Sequence, residues 1–384
     1  MKYDIILTNV FRAYFDARKH KRNTLNQLNF EFNLEENLVA LYRDIRERRY
    51  HVGKSVCFVV DHPVIREIFA ADFRDRVVHH LIYNDIAPQF ERRFIEDSYA
   101  CRKGYGTLMG IERMGHHIRS CTDNYSKQAY ILKLDIQGYF MSINRKILYD
   151  KLEKTLLVDK GRVADNTRLD LELILFLIKE VIFDDPTKNC IICGEKQNWD
   201  ELPASKSLFH AAPDCGLPIG NLTSQLFSNI YMNDFDHYVK RVLGVKHYGR
   251  YVDDFFLIHQ DKYFLLSCKD QIEHYLKQSL GLTLHPQKIY LQEAAKGVIF
   301  LGAVIKPYRR YVKKKTKHKI SRTFCRLNYL VEEERESLTK KDLYTIRAIV
   351  NSYEGYLAHF NAFRLKQSLL KRCPALFDIS CNRT

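Results

Sequence analysis

Apolar positions near the amino end recur at helical spacing. Ile5, Ile6, Val10, Tyr14 and Phe15 share one face, which predicts a helix over 1–24 closing in the basic run Arg18-Lys19-His20-Lys21-Arg22. A second helix is expected over 34–49, ending in Arg43, Arg46, Arg48 and Arg49, since cations suit a helix carboxyl end. The pattern then changes to alternation. Cys57-Phe58-Val59-Val60 and Val64-Ile65-Arg66-Glu67-Ile68-Phe69 read as a strand pair joined through Asp61-His62-Pro63. A long helix follows from 71 to 90, and after it a loop over 98–110 rich in glycine and basic residues.

From residue 128 the character is that of a sheet with helices. Ala129-Tyr130-Ile131-Leu132-Lys133-Leu134-Asp135-Ile136 is an apolar strand with Asp135 at its carboxyl end. Helices are predicted over 145–156 and 169–183, then an irregular insertion over 184–215. The glycine-proline loop 216–225 enters a helix over 226–243. Aromatic and β-branched residues from Tyr248 to Ile258 flank Asp253-Asp254, which predicts two strands with the acids at a tight turn. A helix over 270–280 and short strands up to 305 follow. Residues 306–322 hold nine Lys and Arg without an acid, and 323–372 is helical in pattern. The expected division is 1–128, 129–305 and a basic helical region over 306–384.

At 384 residues the chain can bury a large core, and 46% hydrophobic residues exclude a wholly disordered one. A formal charge of +15 points to a polyanionic partner, and 24 Tyr with 23 Phe favour nucleic acid through base stacking. Residues 1–10 carry Lys2 and Asp4 and no long apolar run, so no secretory signal is expected. The longest apolar stretch, 171–183, is interrupted by Glu172, Lys179 and Glu180 and reads as a core helix, not a membrane span. The ten scattered cysteines are read as reduced thiols of a cytoplasmic protein.

Neighbouring carboxylates between apolar strands repel and lose hydration, which is costly without a cation. Their hard oxygens suit Mg²⁺, which takes one or two protein carboxylates and keeps several waters. Asp253 and Asp254 alone would pass for a solvated turn; Asp135 on another strand supplies the third acid. Arg74 and Arg76 open a helix, where cations are unfavourable unless an anion faces them. Arg102 and Lys103 lie in the glycine loop, a setting in which backbone and cations can approach phosphates. Cys190 and Cys193 invite a structural zinc reading, but His210 and Cys215 lack standard spacing, so small buried thiols are the favoured reading.

The strand ending in Asp135, the glycine loop at Gly220, the turn Tyr251-Val252-Asp253-Asp254 and the downstream Lys288 occur in an order that resembles the palm of a reverse transcriptase. The resemblance covers essentially the whole chain. It implies an α+β right-hand polymerase: fingers with an N-terminal helical region over 1–128, a palm of antiparallel sheet plus helices over 129–305, and a thumb over 306–384. The runs Phe73-Arg74-Asp75-Arg76-Val77-Val78-His79-His80, Gly216-Leu217-Pro218-Ile219-Gly220-Asn221-Leu222-Thr223-Ser224-Gln225 and Arg250-Tyr251-Val252-Asp253-Asp254-Phe255 are similar to those of diversity-generating retroelements. Most reverse transcriptases carry Gln-Gly where this chain has Ile219-Gly220.

That resemblance implies an error-prone RNA-directed DNA polymerase copying a template-repeat RNA, with misincorporation opposite adenine. Its partners would be that RNA, the RNA/cDNA duplex, dNTPs and a basic accessory variability protein; no membrane is involved. Asp135, Asp253 and Asp254, with the Ile136 carbonyl, would hold two Mg²⁺ ions ~4 Å apart. Lys288 would donate a proton to pyrophosphate, and Arg66 would lie over the triphosphate. Phe140 would exclude a ribose 2′-hydroxyl, while Ile219, Gly220 and Tyr251 would line the nucleotide. Arg74, Arg76, Arg102, Lys103, Lys313, Lys314 and Lys315 would contact nucleic acid. The alternatives are a retron or group II-type enzyme, and a reverse-transcriptase-like RNA-binding antiphage defence protein without templated synthesis.

Overall fold

An Asp4 carboxylate that accepts from the Ile6 and Leu7 N–H groups starts helix α1 (Ile5–Arg18). The computed structural model describes residues 4–19, 23–61, 64–159, 168–334 and 337–381. Residues 20–22 of the first basic run and the His62-Pro63 junction lie outside these. The amino end is not one helix to residue 24: α2 (Leu25–Phe32) and α3 (Leu34–Arg46) follow α1 as separate helices. Strands β1 (Val56–Val60) and β2 (Arg66–Ala70) pair antiparallel, Val56 with Ala70 and Val60 with Arg66. Helix α4 (Phe73–Glu91) starts at the Asp72 cap, and α5 (Thr107–Cys121) precedes strand β3 (Tyr130–Asp135).

After β3 come the short helix α6 (Tyr139–Ser142), α7 (Arg145–Asp159) and α8 (Leu171–Phe183). The expected irregular insertion is more ordered than its sequence suggests. Its two-residue strand β4 (Ile191–Ile192) extends the β2-β1 sheet, parallel to β1, and short 3-10 turns fill the rest. Three donors fix it to β2, because Trp199 Nε1 (2.8 Å), Ser207 Oγ (2.9 Å) and Leu208 N (2.6 Å) all bond the fully buried Glu67 carboxylate. No periodicity announces a carboxylate that organises a loop more than a hundred residues downstream.

Helix α9 (Leu222–His237) runs on into a π turn over Tyr238–Val242. Strands β5 (His247–Tyr251) and β6 (Asp254–His259), then α10 (Lys262–Leu280), lead to β7 (Tyr290–Glu293), β8 (Val298–Phe300), β9 (Ala303–Lys306) and β10 (Arg309–Val312). Helices α11 (Lys314–Glu333), α12 (Lys340–Ala358), α13 (Phe363–Arg372) and α14 (Pro374–Cys381) close the chain. Strand order is β5-β6-β3-β7 in one sheet and β10-β9-β8 in another. The basic run at 306–322 therefore splits between a strand hairpin and the first turns of α11.

The residues group into two compact units. One comprises 1–106, 133–256 and 266–289; the other comprises 107–132, 257–265 and 290–384. In the first, Phe227, Tyr231, Phe235, Tyr248, Phe255 and Phe256 are fully buried, with the Phe235 and Phe255 rings edge to face at 5.3 Å. In the second, Ile320, Phe324, Val331, Val350, Leu357 and Leu376 form one cluster from the amphipathic faces of α11, α12 and α14. Among the described residues no helix is long and apolar enough to cross a membrane.

Candidate active site

Only Val252 and Asp253 join β5 to β6, a connection so short that the strands must be antiparallel. Val252 lies in the left-handed region (φ 59°), an uncommon place for a β-branched residue. The Ile136 N–H donates to the Asp253 carbonyl at 3.2 Å, which sets the carboxyl end of β3 beside this turn. Asp135 and Asp253 thus come together from opposite strands.

The acids are held unevenly. Burial, then the Asp135 charge, pushes Asp253 up to about 6, while Lys288 and Arg66 pull the other way. Lys288 Nζ lies 2.8 Å from Asp135 Oδ1. Burial also lifts Asp254 to about 6 against the opposing charge of Lys133, whose Nζ is 3.0 Å from Asp254 Oδ2. The other oxygen of Asp254 is buried without a hydrogen-bond partner among the described residues. Asp254 is tied to Lys133 on β3, and the charges of Asp135 and Asp253 also act on it. Among the described residues no three His, Cys, Asp or Glu side chains are gathered around a cation position. Asp135 and Asp253 nevertheless offer hard oxygens whose burial cost a divalent cation would offset, a donor set that suits Mg²⁺ with its retained waters.

A buried ion pair fixes the turn from beneath, and sequence reasoning gave it no role. Arg250 and Asp236 are both fully buried and bond through two contacts, Nε to Oδ1 at 2.8 Å and Nη2 to Oδ2 at 2.7 Å. Tyr248 Oη adds a bond to Asp236 at 2.6 Å, and Arg250 Nη1 donates to the Val252 carbonyl at 2.9 Å. Asp236 keeps the Arg250 pKa raised although burial alone would lower it. The available signal was a charged residue on the apolar face of each element.

Two of the expected nucleotide-side residues share one small cluster. Phe140 and Ile219 pack against Cys57, Phe69, Met141 and Leu208. The Phe69 N–H donates to the Ile219 carbonyl at 2.8 Å, so the glycine loop lies on β2, the strand that Arg66 begins. Gly220 has φ +130°, and a Cβ there would sit 2.8 Å from the Phe69 carbonyl oxygen, so the close approach requires glycine. Arg66 is exposed, and Tyr251 is the half-buried last residue of β5.

Several expected nucleic-acid contacts have other employment. Arg102 is a correction: its side chain is only 6% exposed, bonds Glu91 at 2.7 Å and the Ile95 and Ser98 carbonyls, and lies over the Tyr105 ring. Arg74 reaches Asp44 and the His51 carbonyl and stacks over Tyr50, while Arg76 bonds the Ala71 carbonyl. The helix start they open is served by the Asp72 carboxylate, which needs no external anion. Lys103 is exposed, as are Lys313, Lys314 and Lys315 at the start of α11 in the second unit. Cys190 packs against the cluster that holds Cys57, whereas Cys193 is exposed, and all three are free thiols.

The family model for reverse transcriptase (RNA-dependent DNA polymerase) matches residues 64–305, more than half of the chain. Protein YkfC of Escherichia coli (strain K12) is 23% identical over 313 residues, covering 72% of this chain and 71% of that protein. Among solved structures, an apo telomerase from Candida tropicalis truncated from its C-terminal domain gives a TM-score of 0.48 at 11% identity over 73% of this chain. Telomerase from Candida albicans with a fragment of telomeric RNA gives 0.45 at 12% over 91%. This chain spans 60% and 65% of those two telomerase chains. With its mixed helix-and-sheet fold, the chain belongs to the reverse transcriptase family.

Proposed function

We propose that the chain is an error-prone RNA-directed DNA polymerase of the diversity-generating kind, copying a template-repeat RNA into mutagenised cDNA. The observation that carries the polymerase chemistry is the meeting of Asp135 with the Asp253 turn, beside Lys288 and Arg66. Two Mg²⁺ ions at Asp135, Asp253 and the Ile136 carbonyl would activate the primer 3′-hydroxyl and neutralise the leaving pyrophosphate. Nucleotidyl transfer needs positioning and charge neutralisation more than a covalent nucleophile. Lys288 would leave Asp135 for the pyrophosphate, and Arg66 would hold the triphosphate. Asp254, tied to Lys133, would support the turn. Lys313, Lys314 and Lys315, set where a helix dipole disfavours cations, would gain from nucleic-acid phosphates. The basic accessory protein and a cytoplasmic setting belong to the same reading.

The mutagenic part of the reading rests on Ile219. Packed with Phe140 in one apolar cluster, it offers the incoming nucleotide no directional hydrogen bond, and loss of such a contact weakens discrimination between base pairs. Phe140 beside it would still exclude the ribose 2′-hydroxyl. Deep sequencing of cDNA made on a defined RNA template tests this: Ile219→Gln should lower errors opposite adenine several-fold. An unchanged error spectrum would remove Ile219 from the account. A second reading, RNA binding without synthesis, draws on the lysine partners that already neutralise Asp135 and Asp254. Mg²⁺-dependent primer extension that disappears in Asp253→Ala would exclude it.

A further inference from the structure

An open cavity of about 790 Å³ lies beside the residues that follow α4 and the last turns of α9. Helix α9 spans 16 residues from the glycine loop to His237, so the cavity lies roughly 20 Å along it from Gly220. The lining cations are Arg92, Arg93, Lys240 and Arg241, opposed by Glu96. Lys240 also reaches Asp97 at 3.1 Å. Two lining atoms, Asn233 Oδ1 and His237 Nδ1, are buried without a hydrogen-bond partner among the described residues. His237 Nε2 is 2.9 Å from the Arg93 carbonyl, which can only accept, so that nitrogen carries the hydrogen and Nδ1 is the unsatisfied acceptor. The π turn at Tyr238–Val242 carries Lys240 and Arg241, and such turns concentrate at functional sites. A smaller cavity of about 250 Å³ shares Arg93 and Asn233 and adds Lys154 and Lys151, the latter paired with Asp234 in the same wall.

We propose that this cavity binds a phosphate-bearing segment of RNA that is not engaged at the acidic turn. Its volume suits a nucleotide unit, and the two cavities with shared walls form a cationic track for successive phosphates. Guanidinium groups match phosphate oxygens in pairs. A free nucleotide offers the same phosphate chemistry; the length of the track favours a polymer. The proposal rests on the chain handling RNA, and does not need it to be mutagenic.

The test uses the full chain without Mg²⁺, so that binding is read apart from synthesis. Fluorescence anisotropy follows a fluorescein-labelled 30-nucleotide oligouridylate over a KCl series. The double substitution Arg92→Glu/Arg241→Glu, at two exposed positions, should weaken binding by ~10-fold or more and flatten the salt slope by about one to two. Lys262→Glu, exposed on α10, is the control for a general charge effect. Equal effects of the two variants would overturn the proposal. So would a loss confined to UTP, which would assign the cavity to a free nucleotide. 4-Thiouridine crosslinks to 92–96 or 233–241 are expected, and crosslinks found only elsewhere would also overturn it. A wild-type chain that gives these results but extends no primer would leave the cavity standing and remove the polymerase reading.

Discussion

Removing the Arg250 guanidinium should cost both stability and rate, for reasons that can be separated. In Arg250→Met, the fully buried Asp236 carboxylate keeps only Tyr248 Oη as a donor among the described residues, and the Val252 carbonyl loses its 2.9 Å donor. Breaking one half of a buried ion pair leaves an uncompensated charge, worth ~3–5 kcal/mol, a large share of the roughly 5–15 kcal/mol typical of a folded protein. Asp236→Leu should cost about as much, because Arg250 is then the stranded charge. The double variant should recover most of the loss, since exchanging both charges for apolar groups can be close to neutral. Rate behaves differently: the carbonyl before Asp253 stays unheld in the double variant, and a displacement of about 1 Å at a reacting group costs on the order of 100-fold. Urea denaturation and Mg²⁺-dependent primer extension measure the two quantities. If the double variant regained rate together with stability, Arg250 would be only a core ion pair, and the account of how the turn is held would fail.

Asp253→Asn removes a carboxylate whose burial raises its pKa to about 6, so the metal-free protein should become more stable at pH 8 by about 1 kcal/mol or more while extension stops; a lower Tm for that variant would contradict the burial argument. Gly220→Ala places a methyl 2.8 Å from the Phe69 carbonyl oxygen at φ +130° and should cost ~1–3 kcal/mol, read as a fall in Tm. His79 is buried, with Nδ1 2.8 Å from Thr223 Oγ1, and burial lowers its pKa from 6.5 to about 3. Below 6.5 the unfolded chain takes up a proton that the folded chain refuses, so its contribution is complete above 6.5 and is lost as pH falls toward 3. The slope is up to ~1.4 kcal/mol per pH unit. Relative to wild type, His79→Gln should lose less stability between pH 7 and pH 5 in urea melts, and parallel curves would refute the assignment.

The order of Asp135, the Gly220 loop, Asp253-Asp254 and Lys288 could be read along the chain, because strand alternation, turn chemistry and helical spacing are local properties. The strand pair at β1 and β2, the long helix α4 and the acidic hairpin follow from the same patterns. What the chain order could not contain is which charge meets which. Arg102 and Lys103 are neighbours with similar composition around them, yet one is enclosed by Glu91 and two carbonyls and the other is exposed. Asp253 and Asp254 look equivalent in sequence, but one ends the turn beside Asp135 and the other begins β6 and pairs with Lys133. Glu67 anchoring the 184–215 insertion, and Arg250 with Asp236 under the turn, are likewise settled by packing. A buried charge is affordable only where distant parts of the chain bring its partner, so tertiary structure alone decided these roles.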